Sequence, residues 1–206
     1  MSDLATSPAA FWNRRRDLTP EPVTPADESA RHLVFLADVG GALTEPCTGL
    51  DQFDCLTVAP PDYHHVTVTV VGNVGDSISE SAEERIRDAA RDAFVDIDAF
   101  DVSFPRYNIF PTVVYAEVDD SGAFAALNDR ACAIDDVPVH DRDDAFVPHA
   151  TLAQFTDDSD YDELLDVLEA NRSLEARATI DEVELVAVDP SVRFPDFETI
   201  ERYPLQ

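Results

Sequence analysis

Between His65 and Gly72 polar and apolar residues alternate with a period of two, His65, Thr67 and Thr69 against the intervening valines. This pattern predicts a β-strand with one face turned to a core and the histidine and threonines on the other. A second strand is predicted for Val147 to Ala153, through His149, Ala150 and Thr151. Further strands are predicted for Arg31 to Val39, Phe53 to Val58, Phe100 to Phe104, Thr112 to Val118 and Ala178 to Val188, the last with a break near Asp181-Glu182. A final strand is expected just before Tyr203-Pro204-Leu205. Helical spacing takes over from Ile78 to Phe94, where Ile78, Ala82, Ile86, Ala89, Ala90, Ala93 and Phe94 form a stripe and Ser81 with Glu84 offers a capping box. Shorter helices are predicted for Gly122 to Ala133 and Asp160 to Asn171. The order of histidine strand, helix and further strands occurs twice. It predicts an α+β fold of two pseudo-symmetric lobes, bilobal and mainly antiparallel, with the histidine strands facing each other across a central cleft.

At 206 residues the chain suits one folding unit. Residues 1–30 mix Arg14-Arg15-Arg16 with Pro20, Pro22 and Pro25 and show no periodicity, so they read as a flexible or loosely docked extension to a domain spanning 31–206. This segment lacks the apolar stretch of a secretory signal, and a cytoplasmic, monomeric protein without membrane attachment is expected. The formal net charge is −29, and all 14 basic residues are arginines. Such a surface fits a salt-loving host, because in molar salt the screening length falls to roughly 3 Å and carboxylates can crowd together. Extended duplex binding is disfavoured by the lack of a basic stripe. Without lysine, Schiff-base, P-loop and lysyl-adenylate chemistry are excluded. Cys47, Cys55 and Cys132 lack metal-ligand spacing and read as buried thiols.

The chemistry is expected in the paired segments. An imidazole near its ordinary pKa of about 6.5 gives or takes a proton at neutral pH, and two of them serve as concerted base and acid. Opening a cyclic phosphodiester needs both roles, one on the attacking and one on the leaving side of phosphorus. A threonine two residues on shares the strand face, and its hydroxyl can donate to a phosphate oxygen. His65 and His149 are therefore the candidate catalytic residues and Thr67 and Thr151 the candidate substrate contacts, with no metal and no cofactor required. His64 is expected to point the other way and pack, and His32 and His140 to be structural or exposed. Tyr63 and Phe155 flank the motifs and could stack on a base or fill the core. Arg14-Arg15-Arg16 reads as a tail cluster without a specific ligand, and Asp141-Arg142-Asp143-Asp144 and Asp157-Asp158 as solvated surface.

The tetrapeptides His65-Val66-Thr67-Val68 and His149-Ala150-Thr151-Leu152 match H-x-[ST]-hydrophobic, the first running to Gly72 and the second preceded by Pro148. In this the sequence resembles the two-histidine phosphoesterase superfamily, which includes LigT-like RNA 2′,3′-cyclic phosphodiesterases, also called 2′-5′ RNA ligases. The resemblance covers about Arg31 to Leu205, with Phe110-Pro111 before a strand and the Tyr203-Pro204-Leu205 ending. It implies a bilobal, pseudo-twofold fold, a metal-independent central site and an RNA end or cyclic nucleotide as substrate, opened to a 2′-phosphomonoester. His149 is assigned as base and His65 as acid, the labels being exchangeable. RNA joining by the reverse reaction and a non-catalytic module binding nucleotides or RNA ends are the alternatives. Many RNA-directed relatives carry a basic residue shortly after one or both motifs, where this chain has Thr69 and Gln154. Arg106, in the loop between strands, is the candidate to replace it, the alternative being a cleft that takes a smaller or less charged substrate than an RNA end.

Overall fold

The computed structural model describes residues 7–27, 29–138 and 146–206. Nine strands are formed: β1 (His32–Asp38), β2 (Leu56–Val58), β3 (His65–Asn73), β4 (Phe100–Ile109), β5 (Val113–Glu117), β6 (His149–Phe155), β7 (Ser173–Ile180), β8 (Glu182–Val188) and β9 (Glu198–Pro204). The helices are α1 (Pro8–Asn13), α2 (Thr44–Cys47), α3 (Glu80–Phe94), α4 (Ala123–Cys132) and α5 (Tyr161–Ala170). The strands form one antiparallel sheet in the order β7-β4-β5-β6-β3-β1-β8-β9, with β2 also on β6. This is the mixed α and β, antiparallel architecture expected. The order is symmetric about its centre, each histidine strand leading outward through three more. Asp181 alone separates β7, at one end of the path, from β8, next to the other end. One residue spans only a few ångströms, so the sheet curves until its two wings approach each other. The predicted break near Asp181-Glu182 is this crossing between wings.

The histidine strands do not face each other across a cleft; they are neighbours, paired at Val66 and Ala150. Beyond that pair β3 leaves the edge of β6, and β2 takes it up at Ala153, Gln154 and Phe155. Each motif strand also carries a β-bulge at the fourth residue of its tetrapeptide. On β3, Thr67 pairs with Leu36 and Thr69 with Phe35, which leaves Val68 extra. On β6, Thr151 pairs with Tyr115 and Ala153 with Val114, which leaves Leu152 extra. The carbonyls freed by the bulges are satisfied, Val68 O by the Asn128 side-chain amide at 2.8 Å and Leu152 O by the Ala59 backbone N–H at 2.8 Å.

The bulges correct the simple alternation. Thr69 turns to the core, its Oγ1 3.7 Å from Cys132 Sγ, and Val70 takes the outer face, 39% exposed. On β6 the matching outer position is Gln154, paired with Val113, which shares a face with Tyr115. The inner face is covered by α3, α4 and α5. Phe94 of α3 packs edge-on against Phe35 at 5.6 Å, and Tyr161 of α5 against Phe155 at 5.7 Å. Val66, Val68, Ala150 and Leu152 are wholly buried there.

Other departures from expectation are local. Ser79, not Ser81, caps α3, accepting from Ala82 N. Arg106 lies within β4 rather than in a loop, because β4 runs on to Ile109. From Ser7 to Asp27 the N-terminal segment lies against the domain: Arg15 and Arg16 pair with Glu169, and Glu21, Val23 and Ala26 donate backbone hydrogen bonds to Pro111, Phe155 and Pro190. Two of these arginines therefore serve as ion-pair anchors to α5. His140 and residues 141–144 lie outside the described residues. Among the described residues no helix is long and apolar enough to cross a membrane.

Asn128 is 2% exposed, and its amide is the partner of the bulge carbonyl. Replacing it by alanine orphans that carbonyl and is expected to lower unfolding free energy by about 1–3 kcal/mol. Urea unfolding in high salt measures this, and an unchanged midpoint contradicts the role given to Asn128.

Candidate active site

An antiparallel pair at Val66 and Ala150 fixes where their neighbours point. Val66 and Ala150 share the core face, so His65, Thr67, His149 and Thr151 all project from the other. The four form a rectangle, with His65 beside Thr151 and Thr67 beside His149. The imidazoles occupy one diagonal, where Cβ separations run roughly 7–8 Å, and the hydroxyls occupy the other. A phosphate above the centre would have an imidazole on either side. The opposition expected from two strands across a cleft thus arises from diagonal corners of two adjacent strands. All four residues are part-buried. Among the described residues neither threonine hydroxyl has a hydrogen-bond partner.

Both rings are held alike. His65 Nδ1–H donates to Tyr63 O at 2.6 Å and His149 Nδ1–H to Val147 O at 2.9 Å, each two residues back. A carbonyl only accepts, so Nδ1 carries the proton and Nε2 keeps its lone pair in the neutral ring. Aromatic edges clamp each imidazole. Tyr63 and Phe197 pack against His65 with centroids at 5.0 and 4.9 Å, Phe110 and Tyr115 against His149 at 4.9 and 5.4 Å. Removal from water disfavours the charged forms. Burial lowers the pKa of His65 to about 4, with the hydrogen bond to Tyr63 opposing and the proximity of His149 adding to it; burial lowers that of His149 as well.

The remaining candidates separate from the quartet. His64 is 1% exposed, its Nε2 3.2 Å from Cys47 Sγ, and it packs as expected. Burial pushes the Cys47 thiol up to about 12, which leaves it unreactive. Tyr63 stands at the site, whereas Phe155 is wholly buried. Arg106, proposed as a replacement cation, is tied to Glu117 at 2.7 Å, and Arg172 holds the other oxygen of that carboxylate at 2.7 Å. Sequence reasoning missed Phe110, Tyr115 and Phe197. Phe110-Pro111 was visible as a motif, but nothing local assigns a ring from the β8–β9 loop to His65.

A profile of the 2′-5′ RNA ligase superfamily matches residues 36–191, well over half of the chain. The chain belongs to the 2′-5′ RNA ligase superfamily. Solved structures of similar fold include TT0787 of Thermus thermophilus, with a TM-score of 0.64 at 17% identity over 84% of this chain and 97% of that one. E. coli LigT complexed with NADP+ gives 0.61 at 17% identity over 86% and 99%. A structure described as a phosphoesterase gives 0.65 at 14% identity over 86% and 99%. No curated protein matches the sequence. Both motifs of this superfamily member lie inside the matched segment, and residues 7–27 precede it.

The lowered pKa of His65 has a consequence for stability. In the unfolded chain the ring titrates near 6.5, so between about 6.5 and 4 the unfolded state binds the extra proton. Stability present above 6.5 is therefore lost as pH falls through that window. The wild-type slope of unfolding free energy against pH is expected to exceed that of His65→Gln by up to one proton, about 1.4 kcal/mol per pH unit. Equal slopes in urea titrations at pH 4.5 to 6.5 contradict the buried, neutral ring.

Proposed function

We propose that this chain is a metal-independent phosphodiesterase that opens 2′,3′-cyclic phosphates at RNA ends or on nucleotides. The observation that carries the reading is the quartet itself: two anchored imidazoles with Nε2 free on one diagonal, and two unpartnered threonine hydroxyls on the other. The occupants of a similar fold support it, since E. coli LigT is found complexed with ATP and with 3′-AMP.

His65, whose burial holds it neutral down to about pH 4, acts as base, and His149 across the diagonal as acid. This exchanges the labels assigned from sequence. A water O–H proton passes to His65 Nε2 as the water oxygen bonds to phosphorus. The P–O3′ bond breaks in line with it, and the proton on His149 Nε2 goes to the departing ribose oxygen, leaving a 2′-phosphomonoester. Thr67 and Thr151 donate to the non-bridging oxygens as charge gathers there.

Turnover of a 2′,3′-cyclic nucleotide in molar salt with EDTA tests the reading. His65→Ala and His149→Ala should each lose about 10²–10⁴-fold in kcat, and Thr67→Val or Thr151→Val about 10–10²-fold. For the free enzyme, the pH profile of kcat/KM should be bell-shaped with both limbs below 6.5, one at about pH 4 set by His65 and the other set by His149. Unchanged rates in the histidine variants, or full dependence on added metal, would overturn it. Accumulation of joined product from cleaved RNA halves would show the same site running in reverse.

A further inference from the structure

With 43 acidic residues and 14 arginines, this chain leaves few cations unneutralised. Among the described residues Arg14, Arg177 and Arg193 alone lie beyond ion-pair distance of a carboxylate. Arg14 lies over the Phe11 ring at 5.7 Å, and Arg177 lines a surface hollow with Asp101 and Asp119. Arg193 is different because of what holds it. Its Nη1 donates to Gln154 Oε1 at 3.4 Å, and Gln154 Nε2 donates back to Arg193 O at 3.4 Å. Gln154 is the outer-face residue that follows Thr151 past the bulge, so a neutral amide on the quartet's own face steers a guanidinium that keeps its whole charge.

The loop that carries Arg193 spans both motif strands. Phe194 packs on Tyr63 at 4.9 Å and Phe197 on His65 at 4.9 Å, while Arg193 reaches β6. The loop is thereby fixed at both sides of the quartet. Two residues of bulged strand, Leu152 and Ala153, lie between Thr151 and Gln154, which are roughly 7–10 Å apart along β6. Along β6 that offset of the residue holding Arg193 is about one nucleotide step from the threonines.

We propose that Arg193 binds the phosphate one nucleotide upstream of the reacting cyclic phosphate, so that the site selects an RNA end over a free cyclic mononucleotide. This rests on the phosphodiesterase reading and names its substrate class. A 2′,3′-cyclic mononucleotide has no such second phosphate, whereas a dinucleotide ending in the cyclic group does. The guanidinium carries no bond change in the reaction; it contributes binding and register.

The test compares kcat/KM for those two substrates in the full chain, wild type and Arg193→Gln. The variant should lose tenfold or more on the dinucleotide and less than twofold on the mononucleotide, with Arg193→Lys restoring most of the loss. Equal losses on both, or none on either, would overturn the assignment. A second readout stands apart from turnover: the affinity of a fluorescent, 3′-phosphorylated dinucleotide, followed by anisotropy against salt. Arg193→Gln should weaken it about tenfold and flatten the slope of log Kd on log salt by about 0.7, one phosphate contact. If no cyclic phosphate is opened but this binding difference holds, the phosphodiesterase reading fails and the Arg193 contact stands. If turnover occurs and neither slope nor selectivity changes, the contact fails alone.

Discussion

The backbone pairing of Val66 with Ala150 sets the relation between the two halves of the molecule. Side chains on a strand alternate faces, so a slip of one residue at this junction would send one histidine and one threonine into the core. The wholly buried Val66, Val68, Ala150 and Leu152 prevent that slip, because it would put them in water. The core therefore holds the register, and the register holds the quartet. Bulges at Val68 and Leu152 complete the arrangement: each returns the strand to its outer face one residue late, and each leaves a carbonyl that Asn128 or Ala59 satisfies.

Electrostatics at the site run against those of the whole. The chain carries a formal charge of −29, yet the quartet holds no carboxylate, and the nearby Glu117 is neutralised by Arg106 and Arg172. Paired aromatic edges keep both rings dry and neutral, and the carbonyls of Tyr63 and Val147 fix which nitrogen is free. Neutral rings in an unloaded site suit an anionic ligand, whose arrival favours protonation of one of them.

Much of this was legible in the sequence, and what was not has physical causes. His65, Thr67, His149 and Thr151 stand out because short-period alternation and a repeated tetrapeptide are local signals. The strands around them follow from the same periodicity, and His64 was correctly assigned to packing. The side-by-side pairing was not legible, since strand neighbours are a non-local property: two strands across a cleft and two strands in contact share one pattern. Thr69 was misplaced because a bulge leaves no mark in the alternation until the partner strand is known. Arg106 looked available because its partner Glu117 sits on the next strand. Arg193, Phe194 and Phe197 lie in a loop whose composition gives no hint that it reaches both motif strands.

The central claim is that one site presents two imidazoles, both neutral at Nε2 when empty, to a single phosphate. Two-bond ¹H–¹⁵N correlation spectra of the histidine rings test it directly, recorded near pH 7 in high salt with and without a 3′-nucleotide. The account predicts that His65 and His149 both carry their proton on Nδ1 in the free protein, and that one of them, in the reading above His149, becomes doubly protonated when the nucleotide binds. Protons on Nε2 in the free protein, or two rings unmoved by a bound nucleotide, would contradict it.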